Sequence, residues 1–227
     1  RSGTEDGLTQ PKWFGQAMAE ARKLSGNVSP QLLNLLEELF CDAPPAGPAL
    51  NKVTELRCRF QQLTSAAMAK GVEDTAFYCF NRFLARNEVG ASPDHWAVTV
   101  EEFHHASAES LAQWPHAMLA TSTHDTKRSE DVRARLAVLS EIPQEWANAV
   151  RRWSALAERH RQADWPDRNA EYHYYQTLVG AWPLPIERAV DYMRKAAREA
   201  KVHTTWIEPS EKYESVLINF VRGTLED

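Results

Sequence analysis

The sequence has 227 residues, 43% hydrophobic and 25% charged, which is enough for one large domain or two small ones with an ample core. Its 26 Lys and Arg against 31 Asp and Glu give a formal charge of -5, a mild acidity that argues against a phosphate-binding surface and leaves no field to steer nucleic acid. Cys41, Cys58 and Cys79 are an odd number without CxxC spacing, so they indicate neither a disulfide framework nor a zinc finger and suit reduced thiols in a cytoplasmic protein.

In chain order, residues 1–10 are polar and without periodicity, and read as a disordered lead-in. A helical subdomain is expected over 11–65. Ser29-Pro30 supplies an N-cap and a first helical position, and Leu32, Leu33, Leu35, Leu36, Leu39 and Phe40 form the apolar face behind it. The Pro-rich run 43–48 is a linker, after which Val53, Leu56, Phe60 and Leu63 resume helical spacing. Two short apolar runs, Ala66 to Gly71 and Ala117 to Ser122, suit buried parallel strands, and each is followed by a dense polar cluster. In an α/β barrel the chemistry sits where strands end, so 66–125 reads as a barrel segment. Within it, Ser92-Pro93 opens a helix and Thr99 with Glu102 makes a capping box. A second helical subdomain is expected over 126–227, starting helices near Pro143, after Pro166-Asp167, after Pro183-Leu184-Pro185 and at Pro209. Ala189, Met193, Ala196, Ala197 and Ala200 form a small-residue stripe that permits close helix packing. No apolar run approaches the roughly 20 residues of a membrane span, and no signal segment opens the chain.

The strongest candidate cluster runs from Thr121 to Asp131 and places His124 and Asp125 side by side, followed by Lys127 and Arg128. Asp125 or Thr126 could serve simply as the cap of the helix that follows, but capping needs one side chain and leaves His124, Lys127 and Arg128 unexplained. The second cluster, Gly71 to Tyr78, sets Glu73 and Asp74 before Phe77 and Tyr78 and continues to Asn81-Arg82 and Asn87-Glu88-Val89-Gly90. Carboxylates bind sugar hydroxyls and rings stack on the apolar sugar face, so this pattern suits carbohydrate. Thr75 or Asp74 as a helix cap, and Tyr78 as a core residue, are the structural alternatives. His104-His105 diverge on a helix and make a poor metal pair, and no residue spacing suggests a metal or organic cofactor. Lys201 to Trp206 is a compact polar and aromatic stretch that reads as a surface loop or a ligand contact.

Three stretches, Ala69-Lys70-Gly71-Val72-Glu73-Asp74-Thr75-Ala76-Phe77-Tyr78, Asn87-Glu88-Val89-Gly90 and Thr121 to Asp131, closely resemble the maltooligosyl trehalose synthases of the α-amylase superfamily. Asp167-Arg168-Asn169, Tyr175 to Pro183 and Ala196 to Thr204 resemble the same family, in the same order, so that the likeness runs from about Ala66 to Arg222.

The resemblance implies a retaining rearrangement of the reducing-end α-1,4 bond of a maltooligosaccharide into an α,α-1,1 bond, with one Asp as nucleophile, one Glu as general acid and base, and a second Asp stabilising the oxocarbenium-like transition state. On that likeness Asp125 is the stabiliser at the end of the seventh barrel strand. His124, Glu73, Asp74, Tyr78, Lys127 and Arg128 are then the candidates for binding sugar. The nucleophile and acid motifs, which follow the fourth and fifth strands in the family, are not found, and two strands do not close a barrel. The expectation is therefore a mainly α fold, a helical bundle-like piece of a TIM-barrel enzyme with at most a small parallel strand remnant. It should be inactive alone and partnered by the remainder of the barrel. An α-glucan hydrolase of the same superfamily and a non-catalytic helical interaction module are the competing readings.

Overall fold

Prolines and capping side chains cut the chain into helices at the places the sequence marks. The computed structural model describes residues 11–24, 26, 28–41, 49–92 and 97–227. The expected lead-in, the 43–48 linker and Pro93 of the Ser92-Pro93 start lie outside the described residues. The chain divides after residue 67 into two units.

In the first unit, α1 (Pro11–Leu24) and α2 (Pro30–Cys41) precede the start of the long α3 (Ala49–Gly71). Met18, Leu33 and Val53 are buried. The Phe40 ring lies 5.3 Å from Phe14 and 4.5 Å from Phe60, so one aromatic from each helix meets at a shared centre.

The second unit begins in the last turn of α3. A π-helical turn (Val72–Ala76) and the single turn α4 (Phe77–Cys79) follow, then a 3-10 turn at Leu84–Arg86. After these come α5 (Val100–Gln113), α6 (Glu130–Glu141), α7 (Pro143–Ala157), α8 (Arg168–Ala181), α9 (Ile186–Ala200) and α10 (Glu211–Glu226). Thr99 and Glu102 form the expected capping box on α5. Pro143 takes the first position of α7. The Asp167 carboxylate caps α8 by accepting from the amides of Asn169 and Ala170, both at 2.9 Å.

The main core lies among α8, α9 and α10, where Tyr174, Tyr175, Val190, Met193, Tyr213, Leu217, Phe220 and Val221 are buried together. The small residues Ala189 and Ala196 let α9 lie close to its neighbours, as the stripe implies. Trp146, Val150 and Trp153 of α7 pack on the edge of this core. A second cluster of Leu84, Leu136 and Leu139, with Val132 and Val179 against it, joins α6 and α8 to the segment at 84–86. That cluster positions the candidate site, because it fixes the loop after Leu84 beside the start of α6.

The fold is mainly α, and among the described residues there is no strand, only an isolated bridge between Gln162 and Trp165. Both stretches read as parallel strands are corrected by the structure. Ala66 to Gly71 completes α3, because Ala, Met and Lys are strong helix formers and the helix already running from Ala49 offers each residue a backbone partner. Ala117 to Ser122 is irregular chain. A parallel strand is stable only between neighbours that complete its ladder, and among the described residues none stands beside it.

Candidate active site

The polar cluster after residue 120 folds into a closed turn. The Thr123 amide donates to Thr126 Oγ1 (2.6 Å) and the Thr126 amide donates to the Thr123 carbonyl (3.2 Å), leaving His124 and Asp125 as the two central residues. Their side chains are 97% and 74% exposed, with His124 Nδ1 4.0 Å from Asp125 Oδ1. Neither Asp125 nor Thr126 caps the next helix: the N-cap of α6 is Ser129.

The base of the turn is tied down. The Lys127 amide donates to Glu88 Oε1 (2.7 Å) and the Arg128 amide to Glu88 Oε2 (3.1 Å), while Val89 donates its own amide to Oε1 (2.9 Å). The Arg128 guanidinium donates to the carbonyls of Leu84 and Asn87, each at 3.3 Å, and to the Tyr192 hydroxyl at 3.1 Å. Asn87 is itself buried, and its amide group donates to the carbonyls of Phe77 (2.9 Å) and Phe80 (2.7 Å). So α4, the 84–90 loop and the base of the turn form one hydrogen-bonded body.

Glu73 and Asp74 sit in the π-helical turn, a local widening that re-aims side chains and recurs at functional sites. Thr75 helps to form it by donating its hydroxyl to the Lys70 carbonyl at 3.0 Å, and Lys201 donates to Thr75 Oγ1 at 2.7 Å. The two adjacent carboxylates go to different partners. Glu73 accepts the amide of Gly90 (3.1 Å), which has a φ of 77° that favours glycine. Asp74 is gripped by two ammonium groups, Lys127 Nζ at 2.8 Å and Lys70 Nζ. Burial pushes the Asp74 carboxyl up, but the hydrogen bonds and charges of Lys127 and Lys70 outweigh it and hold the group below its usual range. Asp125 lies near enough for its charge to help raise the Lys70 ammonium, behind the larger effect of Asp74. The turn, Asp74 and the two lysines thus share one electrostatic patch.

Tyr78 is buried, and its ring stacks on His173 with centroids 6.2 Å apart. Burial pushes its phenol well above the ordinary value. His173 on α8 bonds through Nδ1 to Asn81 Oδ1 (2.9 Å) and through Nε2 to the Tyr192 hydroxyl (3.0 Å). Desolvation, helped by the charge of Arg128, lowers the imidazole to about 3. It is neutral at pH 7, and the directions follow: Arg128 donates to Tyr192, Tyr192 to His173, and His173 to Asn81.

The structure therefore pairs Asp74 with Lys127 next to Arg128, leaves His124 and Asp125 exposed on the turn, and buries Tyr78 against His173. Sequence reasoning quoted Asn81 and Glu88 within a motif without singling them out, and it missed His173, Tyr192 and Arg133. The signal available for Glu88 was an acid in a Gly-ended loop. The others act across long stretches of chain and left no local pattern.

In the Lys201 to Trp206 stretch, His203 Nε2 lies 3.0 Å from the α8 cap Asp167, and Trp206 lies under the Arg198 guanidinium. His104 and His105 are exposed on α5, and among the described residues no three His, Cys, Asp or Glu side chains come together as a metal site requires.

A carboxylate and an imidazole on an exposed turn can hold sugar hydroxyls and face a developing positive charge. Retaining chemistry also needs a nucleophile and an acid about 5–5.5 Å apart. The carboxylates nearest the turn are engaged, Asp74 with two lysines and Glu88 and Glu73 with backbone amides.

No protein-family profile matches the chain. Compared with solved structures, the chain, helical in the parts described, superposes on one part of far longer enzymes. Those enzymes are maltooligosyl trehalose synthases. The enzyme of Arthrobacter ramosus matches with a TM-score of 0.78 at 35% identity, over 96% of this chain and 27% of its own. A hypothetical synthase of Sulfolobus tokodaii matches with a TM-score of 0.71 at 28% identity, over 94% and 32%. In sequence, a Mycobacterium tuberculosis protein provisionally named maltooligosyl trehalose synthase is 38% identical over 193 residues, 79% of this chain. The chain spans about a quarter of that relative's length (24%). In sequence and fold alike, the chain is similar to a segment of the maltooligosyl trehalose synthases.

Proposed function

We propose that this chain is part of a maltooligosyl trehalose synthase and contributes the transition-state-stabilising carboxylate, Asp125, to its active site. The observation that carries the reading is the closed, exposed His124-Asp125 turn, held on a fold that matches synthase structures over 96% of the chain. In the reaction, a nucleophilic Asp from the rest of the enzyme attacks the anomeric carbon at the reducing-end bond while an acid Glu protonates the departing glucose oxygen. The released glucose turns, and its own anomeric hydroxyl attacks the glycosyl-enzyme, returning its proton to that Glu and freeing the Asp. Asp125 binds hydroxyls of the reacting sugar more strongly as charge develops, and His124 binds the same sugar. Glu73, Asp74, Tyr78, Lys127 and Arg128 are the further candidates for binding sugar near the site, with Asp74 held by Lys127 and Lys70 and Glu73 by the Gly90 amide. A walled pocket matters because the freed glucose must react before water does.

The remainder of the barrel is the partner. On α5, Val100, Phe103 and Leu111 are exposed, and beyond it Met118 and Leu119 are almost fully so, an apolar surface that neighbouring barrel strands and helices would cover. On its own this chain is inactive. No described helix is long and apolar enough to cross a membrane. A cytoplasmic site suits the free Cys58 and Cys79 thiols.

The test uses the full-length enzyme that contains this segment, with maltohexaose as substrate and reducing ends and free glucose followed together. Reducing ends that vanish with little glucose establish the rearrangement. Reducing ends that increase make the enzyme an α-glucan hydrolase, and no change at all leaves a non-catalytic helical module.

A further inference from the structure

Both ends of the turn that carries His124 and Asp125 lead to one side chain. At the C-terminal end, Glu88 accepts the amides of Lys127 at 2.7 Å and Arg128 at 3.1 Å, one on each carboxylate oxygen. At the N-terminal end, the Thr121 carbonyl accepts from the Arg133 guanidinium, whose other nitrogen lies 3.8 Å from the same Glu88 carboxylate. Between these anchors the chain closes on itself through Thr123 and Thr126. Glu88 is largely buried, its side chain 16% exposed, and it sits on a loop fixed from below by Asn87 and Leu84.

We propose that Glu88 is the positioning residue of this site: its carboxylate staples the 121–128 turn to the 84–90 loop and so sets where the Asp125 carboxylate stands. The proposal rests on the reading of Asp125 given above and extends it to a residue that touches no sugar. Charge matters here as well as shape. A carboxylate has acceptor oxygens on both sides, so it serves the amides of Lys127, Arg128 and Val89 while its charge faces the Arg133 guanidinium at 3.8 Å. A glutamine of the same size offers one acceptor oxygen and turns an NH2 group toward an amide that also donates. Misplacing a catalytic group by about 1 Å costs on the order of a hundredfold in rate.

The test has two arms. In this chain, amide hydrogen exchange is followed in Glu88→Gln, with the α8 amides of Gln176 and Thr177 as a control for intact folding. Exchange at Lys127 or Arg128 should quicken at least tenfold while the α8 amides keep their protection. Unchanged exchange at both overturns the staple, and if Glu88→Gln does not fold, Arg133→Gln is read in the same way at Thr123 and Thr126. In the full-length enzyme acting on maltohexaose, Glu88→Gln should lower kcat for the rearrangement at least tenfold and raise the glucose released per rearranged product, because a displaced turn holds the cleaved glucose less well. Both products falling in proportion, or neither changing, overturns the positioning role. A wild-type enzyme that forms no rearranged product refutes the proposed function instead, and the exchange arm still decides the staple.

Discussion

Helices α8 and α5 have the same length, 14 residues each, and opposite fates. In α8, Glu171, His173, Tyr174, Tyr175, Gln176, Thr177 and Gly180 are buried. No residue of α5 is buried, although it carries Val100, Phe103 and Leu111. The apolar content of a helix therefore does not decide whether it ends inside. What decides it is whether partners stand on every side. For α8 those partners are α6, α7, α9, α10 and the 81–84 segment, and its polar residues are buried because each has an acceptor or donor waiting. Gln176, for example, accepts from the Leu84 amide (2.9 Å) and donates to the Asn81 carbonyl (2.7 Å). The α5 face and the chain beyond it are where we place the rest of the enzyme.

The largest effect that would sharpen this contrast is a core truncation. Phe220→Ala, at a side chain with no exposure beside Tyr174, should cost about 3–5 kcal/mol of stability in denaturant unfolding, whereas Phe103→Ala on α5 should cost about 0.5 kcal/mol or less. Equal losses would break the comparison.

Next comes pH. The folded chain keeps His173 neutral until the pH approaches about 3, while an unfolded imidazole protonates near 6.5. Between those values the unfolded state binds the extra proton, so stability falls as pH falls through that window. At pH 4.5 the loss from this one group is on the order of 2–3 kcal/mol relative to pH 7. His173→Gln should flatten this dependence, and a parallel acid profile for the variant would contradict the buried neutral state.

Smaller again is Gly180→Ala. Its Cβ would stand 2.7 Å from Val132 Cγ1 and 3.3 Å from Leu136 Cγ, forcing α6 and α8 apart at a cost of about 1–3 kcal/mol, read as a lower Tm.

The smallest effect in this chain belongs to Leu119→Ser, at a residue 94% exposed, which should shift stability by about 0.5 kcal/mol or less. In the full-length enzyme the same change should cost several times more. Equal, small effects in both would show that nothing covers this stretch.

How much of this was legible in the sequence follows from the range of each signal. Helix starts at Pro30, Pro143 and Ile186 were legible because proline and capping act within a few residues. The Thr99 capping box was legible for the same reason. The two clusters with His124-Asp125 and Glu73-Asp74 stood out because polar residues after apolar runs are conspicuous. The strand reading of Ala66 to Gly71 failed because a short apolar run suits either period, and the helix already running from Ala49 decided it. The pairing of Asp74 with Lys127, the staple at Glu88 and the chain from Arg128 to Asn81 were not legible. Each joins residues far apart in the chain, which the packing of Leu84 against α6 and the hydrogen bonds of α8 and α9 bring together.

The central claim is that Asp125 serves the chemistry while contributing little to the fold. It is tested most directly by the kcat of Asp125→Asn in the full-length enzyme on maltohexaose, with Tm measured on the same samples. The account predicts a fall of about a thousandfold, equivalent to about 4 kcal/mol of transition-state stabilisation, with Tm unchanged because the side chain is exposed. A variant that keeps kcat within tenfold of the wild type, at equal Tm, would contradict it.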